Sequence, residues 1–131
     1  MPLKRLFRGA VVAGYIAFAA YWFLPYTYTF WAPEESSLLS YSGYGASLQL
    51  PNIVGNFIFA VWTILALGLF YFYRIARSGL IAFILINFLL IPFNGVSVET
   101  GVGSLLLGVT QVLDGVIMAM AFYSPLADEF R

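Results

Sequence analysis

All six Lys and Arg residues fall at alternate ends of four apolar stretches, and that placement constrains the fold before any motif is considered. Lys4, Arg5 and Arg8 precede the first stretch, Arg74 and Arg77 separate the second from the third, and Arg131 follows the fourth. Short connections rich in positive charge resist translocation. The pattern therefore predicts an all-α integral membrane protein, a four-helix bundle with both termini on the cytoplasmic side. Composition leads the same way. With 62% hydrophobic and 9% charged residues in 131 positions, a water-soluble domain would lack the polar surface to cover its core.

The sequence contains no Cys and no His. Disulfides, thiolate nucleophiles, imidazole bases, histidine-ligated haem and the common zinc and copper ligand sets are thereby excluded, and no cofactor or metal site is expected. Net charge is zero, and no basic patch of the kind that binds nucleic acid is present.

The predicted spans cover about 6–31, 53–73, 78–93 and 104–123, a single transmembrane domain with outer loops at 32–52 and 94–103. The first begins after the basic cluster and ends in Tyr26, Tyr28, Phe30 and Trp31, residues suited to the headgroup boundary. Its start also has the layout of a cleavable signal peptide, but the apolar and aromatic sequence continuing past Ala20 favours a retained anchor. Pro25 is a point where this helix kinks or ends. Gly9, Ala13, Ala17 and Ala20 share one face beside Ala10 and Gly14, and form an expected packing stripe. In the second span, Asn52, Asn56 and Thr63 share a face expected to look into the bundle. The third contains Asn87 and meets Pro92, where it either continues with a kink or stops and lets Asn94-Gly95 turn the chain. The fourth ends before Ser124-Pro125, and the short tail beyond is expected at the inner surface.

Asp114 is the costly residue. A carboxylate at the centre of a spanning helix is unfavourable by about 2.5–3.5 kcal/mol on insertion scales, so it needs a compensating environment. Thr110 and Gln111 lie on its face, Gly115 and Ala119 form an adjacent small groove, and Asn87, Thr63 and Asn56 on other spans complete a candidate intramembrane polar site. No basic residue of the chain reaches that depth. Asp114 is then protonated, hydrated, ion-bound or paired with another protein, or it serves as neutral interhelical glue.

In the outer loop, Pro33 with Glu34 and Glu35 suits a helix first turn, and a short surface helix is expected through about Ser40. Tyr41 and Tyr44, between small residues, are candidate contacts for a partner or anchors at the interface. Glu34, Glu35 and Glu99 are too scattered in sequence to define a metal site. No nucleophile is seen beside a base, so catalysis is not expected.

These features lead to two expectations. The first is a small non-enzymatic protein of the bacterial inner membrane that binds another membrane protein, as an accessory subunit or immunity-like component, through helix contacts around Asp114. The second is a homo-oligomeric proton or cation conductor centred on the same residue.

Overall fold

The computed structural model describes residues 2–47 and 52–130. Within them all regular structure is helical: α1 (Pro2–Trp31), α2 (Pro33–Leu38), α3 (Asn52–Phe70), α4 (Arg74–Leu90) and α5 (Gly101–Tyr123), with single 3-10 segments at Leu39–Tyr41, Ile91–Phe93 and Pro125–Glu129. Four helical segments are long and apolar enough to cross a membrane, the layout of a multi-pass membrane protein. Their flanks explain why a bilayer suits them. Ile16, Phe57, Ile64, Ile86, Phe88 and Leu105 are all exposed on the outside of the bundle, an apolar surface far beyond what a soluble monomer tolerates.

α1 packs on both α5 and α3, α3 pairs with α4, and α4 returns to α5, which closes the bundle. The middle is filled by rings. Trp62 stacks on Phe83 with centroids 5.6 Å apart and meets Phe18 edge-on at 5.7 Å, while Phe18 stacks on Phe59 at 5.9 Å. Trp62, Phe7, Leu69, Leu80 and Ile117 are the largest fully buried side chains.

Several local expectations change in this packing. Pro25 lies inside α1 and does not end it, and α4 begins at Arg74, ahead of the expected start near Ser78. At Pro92 the α-helix has already stopped, at Leu90, and the 3-10 segment leads into Asn94-Gly95. The inward stripe of α1 is Phe7, Val11, Gly14 and Ala17, whereas Gly9, Ala13 and Ala20 face outward. Gly14 is where α5 comes close: a Cβ there would lie 3.4 Å from Ile117 and 3.6 Å from Leu113.

The α3–α4 turn is tight because Tyr73 N–H donates to the Gly68 carbonyl at 2.8 Å and Phe72 N–H to that of Leu69 at 3.0 Å. This is a Schellman closure, which normally places Gly at the left-handed position. Here Phe72 occupies it, with φ 61°. The strain of about 1–2 kcal/mol is offset by the ring, which stacks on Phe7 at 5.3 Å and meets Phe130 edge-on at 5.3 Å.

Phe130 belongs to the tail, which folds back onto the bundle with Leu126 buried. Lys4 and Glu129 form an ion pair at 2.7 Å. Arg77 donates to the carbonyls of Ala121 at 3.3 Å and Ala127 at 3.2 Å, and its guanidinium lies over the rings of Phe122 and Phe130. Arg8 donates to the Phe70 carbonyl at 3.3 Å and lies over Phe70 and Phe72. Charges that mark topology in the sequence thus also close this end of the bundle.

Candidate functional site

α5 is the helix on which the candidate residues concentrate, and its two faces differ. Inward, Gly103, Thr110, Ile117 and Ala121 are buried against neighbouring helices. Outward, Ser104, Gln111, Gly115 and Ala119 are exposed at helical spacing, and a Cβ built at Gly108 or Gly115 would meet nothing within 4 Å. Asp114 stands at the edge of the inward stripe, half-buried, with its Oδ1 enclosed and without a hydrogen-bond partner. Among the described residues it has no ion-pair partner.

The six residues of the candidate polar site do not form one hydrogen-bonded cluster. Thr63 donates to the Phe59 carbonyl at 2.9 Å, Asn87 to that of Phe83 at 2.8 Å and Thr110 to that of Leu106 at 2.9 Å, each one turn back on its own helix. Such local bonds satisfy a polar side chain without linking helices. Thr63 alone also reaches across, its Oγ1 lying 3.3 Å from the Tyr15 hydroxyl. Asn56 is exposed on the outside of α3, contrary to the inward face expected for it, and the Asn52 side chain lies outside the described residues. Gln111 is likewise exposed, on the surface of α5 that no other helix covers. Trp62 Nε1, buried in the ring cluster, shares with Asp114 Oδ1 the condition of having no partner.

At the opposite end from the basic residues the loops are laced together. Gly43 N–H donates to the Val96 carbonyl at 2.7 Å and Val96 N–H to that of Tyr44 at 2.9 Å. Gly95 is required in this clasp: its φ is +72°, and a Cβ would fall 2.6 Å from the Tyr44 oxygen. Glu34, Tyr41 and Tyr44 project as exposed side chains, and the Glu35 side chain lies outside the described residues. The predicted surface helix is present as α2 followed by the 3-10 segment through Tyr41.

Between this clasp and α1 lies a group of residues that sequence reasoning did not bring together, although it named Tyr28 as a boundary residue and Glu99 as an outer acid. Tyr21 donates to Glu99 Oε1 at 3.0 Å, and Ser104 donates to Glu99 Oε2 at 3.4 Å. The Tyr28 hydroxyl bonds Thr100 Oγ1, and Thr100 caps α5 by accepting from Gly103 N–H at 3.0 Å. A usable signal existed: Tyr21 and Tyr28 are seven apart on one helical face, and Thr100 stands three before Gly103 at a helix start. Among the described residues no group of acids is placed to hold a metal ion.

Comparison of the chain with protein-family models, with curated proteins and with solved structures gives no match.

Proposed function

We propose that this chain is a non-enzymatic protein of the bacterial inner membrane, with both termini cytoplasmic, that docks a transmembrane helix of another membrane protein on the outward face of α5. The observation that carries the reading is Gln111, an amide in the middle of a spanning helix, exposed and flanked at helical spacing by Gly108, Gly115 and Ala119. An amide facing hydrocarbon is unfavourable, and small residues on either side let a second backbone approach close enough to satisfy it. The gathering of Lys4, Arg5, Arg8, Arg74 and Arg77 at one end of the bundle supports the orientation. An accessory or immunity-like role suits a chain most of whose residues lie in its spans.

Asp114 acts in this reading from behind the docking face, as the polar edge of the stripe that sets the rotation of α5. A second reading, a proton or cation conductor built from several copies, draws on the unpartnered Asp114 oxygen. It requires an assembly, because aromatic rings fill the centre of one bundle.

The test is co-purification from the native membrane in mild detergent, compared with ion flux in proteoliposomes. Gln111→Leu and Gly115→Leu are expected to lose the partner without altering flux. The effect at Gln111 corresponds to an interhelical hydrogen bond of about 0.6–1.7 kcal/mol. Flux that is present in the parent and abolished by Asp114→Asn, with no partner lost by either α5 variant, would replace docking by conduction.

A further inference from the structure

We infer that the cavity at the loop end of the bundle binds an organic ammonium cation, a positively charged nitrogen bearing alkyl groups. The cavity is a half-open cleft of about 340 Å³, within the range of small-ligand sites, and is lined by Tyr21, Trp22, Tyr26, Tyr28, Glu99 and Thr100 together with aliphatic side chains. Tyr21, Trp22 and Tyr26, which unlike the buried Tyr28 keep exposed surface, stand beside one carboxylate, the ingredients of an ammonium cage: aromatic rings attract the diffuse positive charge, and the carboxylate supplies the counter-ion. Glu99 is oriented for this task, since Tyr21 holds one of its oxygens and Ser104 the other, while the residue stays exposed to an incoming ligand.

Charge selects the ligand's sign. Every Lys and Arg among the described residues lies at the other end of the bundle, so among those residues Glu99 has no cation beside it. An anion would meet an unopposed carboxylate, and a neutral ligand would gain a hydrogen bond at most, without the charge attraction. The cavity also sits among tyrosines and a tryptophan toward the C-terminal end of α1, the residue types that favour the headgroup boundary, and in the proposed orientation that end meets the outer headgroups. Its ligand is therefore either the headgroup of an amine-bearing lipid or a free amine of the same chemistry. This site is separate from the outward face of α5 and stands whether or not that face docks a partner.

The full chain reconstituted in phosphatidylglycerol nanodiscs is titrated with choline and, separately, with its uncharged isostere in which carbon replaces nitrogen, with tryptophan fluorescence as the readout. Saturable choline binding is expected, with the isostere weaker by about tenfold or more. Glu99→Gln keeps the hydrogen-bond acceptor and removes the charge, and is expected to weaken choline by a similar factor. Tyr26→Leu, at an exposed position, is expected to weaken it by about threefold. Repeating the titration in phosphatidylcholine nanodiscs separates the sources: an apparent affinity that falls there identifies the lipid headgroup, and one that is unchanged identifies a free amine. Equal binding of the isostere, no saturable signal, or full choline affinity in Glu99→Gln would overturn the inference.

Discussion

At the basic end the bundle is sealed by rings and guanidinium groups, whereas the loop end is held by hydroxyl and backbone hydrogen bonds around a cavity. The basic end buries Phe7, Phe72, Phe130 and Leu126 together and uses Arg8 and Arg77 to satisfy carbonyls that the helices leave unpaired. The loop end places Tyr21, Tyr28, Thr100 and Glu99 where a closed core would need aliphatic side chains. One end is thus closed by buried rings, and the other is left open around a cavity.

The comparison breaks most readily at Phe7. Phe7→Ala removes a fully buried ring that stacks on Phe72 and meets Phe130 edge-on, and is expected to reduce stability by about 3 kcal/mol in a detergent-denaturation titration. A loss below that of the loop-end substitutions would show that the basic end is not the stabilising one. Arg77→Leu comes next, at about 2 kcal/mol, because it leaves the carbonyls of Ala121 and Ala127 without their charged donor. Protease cleavage in the 124–130 tail should rise in that variant, since the same guanidinium holds the tail down.

Thr100→Ala sharpens the contrast from the loop end. It removes the α5 cap and the Tyr28 partner at an expected cost of about 1 kcal/mol, and its hydrogen-exchange signature should stay within the first turn of α5 and the outer part of α1. Smallest of all is Lys4→Gln. The ion pair with Glu129 is about one-third exposed on each side, so its loss is expected to change stability by less than about 0.5 kcal/mol and to matter less still at high salt.

Helix number and the alternation of ends were legible because hydropathy and charge act along the chain, one residue after another. Facing was not, since the side of a helix that turns inward is chosen by its neighbours. Asn56 looked inward by its spacing from Thr63, yet only Thr63 finds a partner, the Tyr15 hydroxyl of α1. Gly14 rather than Gly9 marks the α1 contact because Leu113 and Ile117 of α5 arrive there. The left-handed turn at Phe72 carried no local signal, for its strain is offset by rings distant in sequence. Among the candidate site residues, Asp114 and Gln111 were adjacent in the reading of the helix and are separated in the fold, one enclosed and one turned out. A difference of three positions rotates a side chain by about 60° in the opposite sense, enough to cross the boundary between the core and the exposed surface.

Photo-crosslinking in the native membrane tests the outward α5 face most directly. A benzophenone side chain is placed at Gln111 in one variant and at Phe57, an exposed position on α3, in another. A discrete protein adduct at position 111, with only lipid adducts at position 57, is the predicted result. Lipid adducts alone at both positions would contradict the account.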